Sequence, residues 1–162
     1  MGTPKSFFKS FAAVLAVAVV AAFLLAASAA AARDVDGKEY GLKLLAVSET
    51  GDGVTASLYL KIAPGTGNVF IEAEPVTKLD TRISLKLAKQ IACESLPAIS
   101  PRCDSHDFFF RIEANASLVG GPSAGAAAAA LAIAAVDGAS INQSVAVTGT
   151  INSGGLIGQV GA

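Results

Sequence analysis

Residues 120–138 read GGPSAGAAAAALAIAAVDG, and this segment sets the class of fold. Its Gly-Gly-Pro opening allows a sharp turn into a helix, because glycine tolerates unusual backbone angles and proline fits the first helical turn. From Ser123 to about Val136 the segment is uncharged, and Gly138 is suited to end the helix. A helix that is apolar on all sides is buried, and its small side chains permit close packing. We therefore expect a buried helix here.

The chain on both sides of this helix has the pattern of strands. Val54–Ile62 alternates apolar and polar residues, which is typical of a half-buried antiparallel strand, and the turn Gly51-Asp52-Gly53 precedes it. The other predicted strands are Tyr40–Ser48, Val69–Ala73, Phe108–Ile112, Val145–Thr148 and Leu156–Val160, with a turn at Ser153-Gly154-Gly155 between the last two.

A second helix is predicted over Thr81–Cys93. Apolar residues recur there at helical spacing, and Asp80 is suited to cap the N-terminus; these apolar residues are Ile83, Leu87, Ala88 and Ile91. We therefore predict a single mixed α+β domain, with strands first and the helices packed on one face.

Composition limits the classes of function. Of the 162 residues, 52% are hydrophobic and 15% are charged, and the formal net charge is −1. These values exclude a disordered tail and a nucleic-acid-binding protein that works by neutralising phosphates. Without its apolar N-terminus the chain keeps about 130 residues, enough for one globular core. We expect an N-terminal segment over residues 1–32 and one domain over 33–162.

The N-terminus has the pattern of an export signal. Lys5 and Lys9 precede residues 11–32, which carry no charge, and Ala27-Ser28-Ala29 offers a signal-peptidase site. The alternative is an uncleaved membrane anchor, since this apolar run is long enough to span a bilayer. Both interpretations predict an extracytoplasmic domain, either secreted or anchored by a single N-terminal helix.

Cys93 and Cys103 lie ten residues apart, on either side of a loop that contains two prolines. In an oxidising compartment they could form a disulfide, and the alternative is two buried free thiols. A metal site is not indicated, because the single histidine, His106, belongs to no ligand pattern. We interpret His106 as an exposed loop residue.

Ser123 is the candidate nucleophile. At a helix N-terminus the free N–H groups and the helix dipole favour the negative charge of an oxyanion, although a serine after a Gly-Pro turn is more often only a helix cap. Residues 121–125 also fit the G-x-S-x-G pattern of α/β-hydrolases, but no histidine follows the serine. A triad of His106, Asp107 and Ser123 is rejected because adjacent strand residues point to opposite faces. A serine can instead be activated by a lysine.

Three segments resemble the proteolytic domain of the Lon proteases: Val119–Gly125 (VGGPSAG), Val145–Asn152 (VAVTGTIN) and Ile157–Ala162 (IGQVGA). The similarity is greatest to archaeal, exported Lon-like proteins that lack the ATPase. Ser123 and Thr148 are 25 residues apart, as the family pattern requires. Over the first two thirds of the chain only the order of strands and helix supports the resemblance.

The resemblance implies the Lon proteolytic-domain fold and serine endopeptidase activity through a Ser-Lys dyad. Ser123 would be the nucleophile, and Thr148 would lie beside the dyad and hydrogen-bond its lysine. The active-site loop and oxyanion site would be shaped by Gly121, Pro122, Ala124 and Gly125. Substrates would be unfolded or extended polypeptides, and the chains would assemble into a homo-oligomeric ring.

The family pattern places the dyad lysine about four residues beyond Ala162, and no upstream lysine is an evident substitute. Three interpretations follow: an N-terminal fragment of a longer frame, which we favour and which would be inactive by itself; a degenerate gene product; or a non-catalytic extracytoplasmic binding or assembly module. No P-loop occurs, so we expect ATP-independent action. We expect no cofactor and no nucleic acid, and membrane contact only through residues 11–32 if they are uncleaved.

Two segments fit the N-glycosylation acceptor pattern, Asn115-Ala116-Ser117 and Asn142-Gln143-Ser144. The pattern matters only outside the cytosol. The first lies in the loop that leads to Ser123, where a glycan would obstruct a cleft, and we interpret it as a chance match.

Overall fold

A computed structural model describes residues 36–48, 51–72, 74–96 and 100–160 of the chain. All of them belong to one unit, Val35–Ala162. The signal or anchor predicted over residues 1–32 lies outside the described residues. No helix within the described ranges is both long and apolar enough to cross a membrane.

A long hairpin forms the framework of the sheet. Strand β1 (Glu39–Val47) runs antiparallel to β2 (Gly53–Pro64), with Leu42 opposite Leu58. The predicted alternation is confirmed, because one face of each strand is buried: Tyr40, Leu42 and Leu44 of β1, and Ala56, Leu58, Leu60 and Ile62 of β2. Val54, expected on the same face, is 43% exposed next to the turn of the hairpin.

Three further strands complete a five-stranded mixed sheet of order β3-β5-β2-β1-β7. Strand β5 (His106–Glu113) is antiparallel to β2, and β3 (Val69–Ile71) is parallel to β5. Strand β7 (Ala146–Val147) is parallel to β1. Phe108, Phe110 and Ile112 of β5 add to the same buried face. The mixed α+β class is therefore as the sequence predicts.

Helix α1 (Leu79–Ser95), helix α2 (Ser100–Asp104) and helix α3 (Gly125–Asp137) accompany the sheet. Helix α3 packs against β1 and β2 on one side and against α1 on the other. Nearly all of its residues are buried, so the prediction of a buried helix is confirmed. Gly138 ends the helix with a left-handed φ of 71°.

The start of α1 differs from the prediction. The helix begins at Leu79 with Lys78 at the N-cap, so Asp80 lies inside the first turn and not at the N-cap position. Its Oδ1 nevertheless accepts a hydrogen bond from a first-turn backbone N–H, that of Thr81 (2.7 Å). Of the apolar residues predicted to face the core, Ala88 and Ile91 are buried, whereas Ile83 is 55% exposed. Thr81 and Ser84 are buried as well, because their hydroxyls donate to the carbonyl oxygens of Gly121 and Asp80.

Two small strand pairs lie outside the main sheet. Strand β4 (Val76–Thr77) is parallel to β6 (Leu118–Val119), and β8 (Thr150–Ile151) is antiparallel to β9 (Ile157–Gly158). The turn predicted at residues 153–155 therefore joins β8 to β9, and not β7 to β9. Pairs of two residues are too short to show a hydrophobic period.

Two predictions about the region around α2 have different outcomes. Cys93 and Cys103 form a disulfide with a Cα–Cα distance of 5.9 Å, which ties the end of α1 to α2. His106 is not an exposed loop residue: it begins β5, and its side chain is 14% exposed. Its Nε2 lies 2.9 Å from Asp36 Oδ1 and its Nδ1 lies 2.8 Å from the carbonyl oxygen of Arg102.

Removal of the disulfide should destabilise the domain. The bond closes a loop of about ten residues, and losing such a crosslink lowers the free energy of unfolding by about 2–3 kcal/mol through the entropy of the unfolded chain. Urea unfolding with and without a reductant measures the difference. The double variant Cys93→Ala, Cys103→Ala should have the same free energy of unfolding as the reduced protein, and the reductant should not change it. A wild-type protein whose free energy of unfolding is also unchanged by the reductant would contradict the prediction.

The loop between β2 and β3 is organised by one carboxylate. Asp107 Oδ1 accepts hydrogen bonds from the backbone N–H groups of Asn68 (2.8 Å) and Thr66 (2.9 Å). These bonds, led by that from Asn68, hold the pKa of Asp107 below its ordinary value of 3.8. The carboxylate occupies the space beside Gly65, where an added Cβ would lie 2.2 Å from its Cγ.

Asp107→Asn should lower the free energy of unfolding near neutral pH and change it little in acid. A carboxylate with a depressed pKa contributes stability that is fully present above 3.8 and is lost as pH falls through the lower folded-state value. Denaturant unfolding at about pH 7 and about pH 2.5 measures both regimes. Asp104→Asn, at the exposed end of α2, is the control and should follow the wild-type profile. If the difference in free energy of unfolding between Asp107→Asn and the wild type is equal at both pH values, this role of Asp107 is disproved.

Candidate functional site

Ser123 lies in a sharp turn at the start of α3. Gly121 has a φ of 98°, which favours glycine, and Pro122 begins a 3-10 turn, Pro122–Ala124, that leads directly into the helix. The serine side chain is half-buried, and its Oγ makes no hydrogen bond to any described residue. The predicted turn is thus present, and Ser123 and Ala124 have 3-10 geometry where an α-helix was expected.

The serine turn is joined to the segment that contains Thr148. The N–H of Gly149 donates to the carbonyl oxygen of Ser123 (2.8 Å), and the N–H of Ala126 donates to the carbonyl oxygen of Gly149 (3.0 Å). A side chain at Gly149 would not fit, because its Cβ would lie 2.9 Å from Ile157 Cγ2. The two motifs that the sequence separates by 25 residues are therefore neighbours, and half-buried Thr148 adjoins the paired residue.

Gly121 is held by α1 on both of its polar backbone groups. Asp80 Oδ2 accepts a hydrogen bond from its N–H (3.1 Å), and Thr81 Oγ1 donates to its carbonyl oxygen (3.0 Å). Thr81 is 1% exposed, so this bond is shielded from water. Sequence reasoning missed both roles, because Asp80 has the local pattern of a helix cap and Thr81 has no distinguishing pattern.

The electrostatics at this turn suit an anion. The first N–H groups of a helix have no intrahelical partner, and here they include those of Ser123 and Ala124. The helix dipole adds partial positive charge at the same end, and neither first turn contains an acidic residue. The carboxylate of Asp80, on the N–H of Gly121, offsets part of that charge. An oxygen that gains negative charge beside Ser123 would be stabilised there.

A cavity of about 510 Å³ opens next to the turn. It is lined by the facing ends of β1 and β2, including Ala46, Val54 and Thr55, and by the segment from Ala114 to Gly120. Strand β5 pairs with β2 only as far as Ser57, opposite Glu113. Among the described residues, the edge of β2 beyond Ser57 has no strand on the side where β5 ends. The cavity therefore has a free strand edge on one side. On the other side is the segment Ala114–Gly120, which ends three residues before Ser123.

Lys78 lies beside the same loop, although the sequence suggests no role for it. Its N–H donates to the carbonyl oxygen of Val119 (2.8 Å), and its Cδ would lie 2.5 Å from a Cβ added at Gly120. The side chain is exposed, unlike the desolvated lysine that activates a serine. No group of three or more His, Cys, Asp or Glu residues in the described ranges could hold a metal ion.

The structure thus brings together the predicted active-site residues 121–125 and Thr148, and it places the disulfide elsewhere. Cys93 follows Asp80 by thirteen residues of α1, a distance of about 20 Å along the helix. No protein-family model matches the chain, and no curated protein matches its sequence.

Thr81→Val should make the turn that contains Ser123 less stable, with little change in the shape of the side chain at position 81. The variant keeps the volume of the side chain but leaves the carbonyl oxygen of Gly121 without its donor, which costs about 1 kcal/mol. Urea unfolding measures this loss, and hydrogen exchange should speed up at residues 121–126. Thr81→Ser keeps the hydroxyl and is the matched control. Equal exchange in the two variants would show that the hydroxyl does not hold the turn.

Proposed function

We propose that this chain carries a Lon-type proteolytic domain that acts outside the cytosol as an ATP-independent serine endopeptidase on unfolded or extended polypeptides. Ser123 is the nucleophile, and its lysine partner lies beyond Ala162, where the family pattern places it. The observation that supports the proposal is the backbone pairing of Ser123 with Gly149, the residue that follows Thr148.

The cavity supports an extended polypeptide as the substrate. A peptide that adds to the free edge of β2 would form backbone hydrogen bonds that do not depend on its sequence. Such a peptide would run along the wall from Ala114 to Gly120 and reach the serine turn. An unfolded or extended polypeptide has free backbone N–H and C=O groups along its whole length, so it can pair with this edge at many positions.

The chemistry would proceed in two steps. The lysine amine takes the proton of Ser123 Oγ as the oxygen attacks the peptide carbonyl, and the resulting oxyanion is stabilised by N–H groups at the start of α3. The protonated lysine then gives its proton to the leaving amine, and an acyl-enzyme remains. Water hydrolyses this ester and restores the serine. Thr148 would orient the lysine through its hydroxyl.

A second function is favoured by one specific observation. Ser123 Oγ has no hydrogen-bond partner among the described residues, yet the cavity and the free edge of β2 are present. A non-catalytic extracytoplasmic module could bind extended polypeptides through that edge without cutting them. The two functions differ in whether Ser123 reacts.

The test uses the protein isolated from its own membrane or secreted fraction. It should hydrolyse a denatured, fluorescently labelled protein without ATP, and an activated-serine probe such as a fluorophosphonate should label Ser123. Ser123→Ala should lose both signals, a fall in rate of at least about 10³-fold. Ser140→Ala is the matched control, because Ser140 is exposed beyond the opposite end of α3.

The outcomes separate the two functions. Hydrolysis that persists in Ser123→Ala would remove the serine assignment. Binding of the denatured protein without hydrolysis or labelling would favour the binding module, and binding should then weaken when Thr55 is replaced by proline, which cannot donate a backbone hydrogen bond from the strand edge. Neither binding nor hydrolysis would overturn both.

A further inference from the structure

We propose that Asn142 is an N-glycosylation site of this protein and that Asn115, the other residue in an acceptor pattern, is not. The modification goes beyond the proposed proteolysis, and it depends on export and not on catalysis. The acceptor pattern requires an asparagine followed, two residues later, by serine or threonine. Both segments satisfy it, so the distinction comes from their conformation and position.

The segment Asn142-Gln143-Ser144 forms an exposed turn that presents the acceptor atom. Asn142 Oδ1 accepts a hydrogen bond from the backbone N–H of Ser144 (2.9 Å), which directs the amide nitrogen of Asn142 away from the backbone. That nitrogen makes no hydrogen bond to any described residue, and all three side chains are exposed. The turn closes further through a bond from the N–H of Val145 to the carbonyl oxygen of Asn142 (3.4 Å).

The turn is also attached to the sheet, so the acceptor is exposed on folded protein. Gln143 Nε2 donates to the carbonyl oxygen of Gly41 (3.0 Å), and β7 follows directly and pairs with β1. A transferase can therefore reach Asn142 without unfolding the strand that comes after it.

Asn115 has the same sequence pattern but a different setting. It lines the cavity beside the serine turn, and no bond joins its side chain to the N–H of Ser117. Ser117 is itself tied by its carbonyl oxygen to the N–H of Val76 (3.0 Å). A glycan there would fill the cavity, whereas Gly41 lies five residues of β1 away from Ala46 at the cavity, about 17 Å along the strand.

The reaction is a glycosyl transfer from a lipid-linked oligosaccharide phosphate. Asn142 Nδ2 attacks the anomeric carbon, the bond between that carbon and the phosphate oxygen breaks, and an N-glycosidic bond forms. The amide nitrogen loses one proton to a basic group of the transferase, and the lipid phosphate leaves with the electron pair of the broken bond. No oxidant or reductant is needed.

A glycan at this position would also protect the sheet. β7 is the last strand on its side of the described sheet, and the residue between the turn and that strand, Val145, is 47% exposed. Exposed strand edges invite pairing with other chains, and a bulky solvated group beside them blocks it.

The test maps glycans on the full chain, taken from the membrane or secreted fraction of its source and expressed with its own N-terminus in a yeast secretory host. Mass spectrometry of peptides should find a glycan on Asn142, and a peptide N-glycosidase, which hydrolyses the side-chain amide bond, should convert that residue to aspartate. Asn142→Gln and Ser144→Ala should each lose the glycan. Ser144→Ala is informative because it keeps the backbone N–H that bonds Asn142 and removes only the hydroxyl.

Asn115→Gln is the matched control and should keep the full glycan mass. A chain recovered outside the cytosol with an unmodified Asn142 would overturn the proposal, and so would a glycan on Asn115 alone or a chain found only in the cytosol. Glycans on both residues would overturn the selection between them. The readout does not depend on catalysis, so an inactive protease with a glycosylated Asn142 would reject only the proposed proteolysis.

Discussion

The whole domain depends on the burial of α3, a helix built almost entirely of alanine, between the hairpin and α1. Because its side chains are short, neighbouring segments come close to its backbone: a Cβ added at Gly125 would lie 2.7 Å from Cγ2 of Ile151 in β8. Close packing of this kind leaves few arrangements for the attached turns. The position of the first residues of α3 is consequently fixed by its neighbours.

The turn that contains Ser123 is fixed by contacts with the segments packed around the start of α3. Asp80 and Thr81 hold Gly121 from one side, and Gly149 pairs with Ser123 and Ala126 from the other. Helix α1 thus contributes to the site without supplying a group that faces it. A nucleophile needs a fixed geometry relative to the donors that receive the oxyanion, and these contacts from two separate segments provide it.

The cavity lies at one end of the sheet, where an edge of β2 is free. Because β5 separates from β2 after Ser57, the same strand that forms the centre of the sheet also offers a free edge at one end. The proposed glycan lies toward the other end of β1, at the turn that Gln143 ties to Gly41. The two ends of the hairpin can therefore serve different purposes, with polypeptides bound at one and the surface protected at the other.

The amino-acid pattern by itself determined the elements whose signal is local and long enough: the alternation in β2, the uncharged run of α3 and the glycine that ends it. It also indicated Ser123 and Thr148 as candidate site residues by their motifs, and this assignment remains a proposal. Only the tertiary structure decided what depends on contacts between distant segments. Asp80 binds Gly121 in addition to a first-turn N–H of its own helix, His106 binds Asp36 and is not exposed, and the last turn joins β8 to β9. A carboxylate, an imidazole and a two-residue strand look the same in any local window, because their roles are set by partners about 40 to 70 positions away or by pairings too short to have a period.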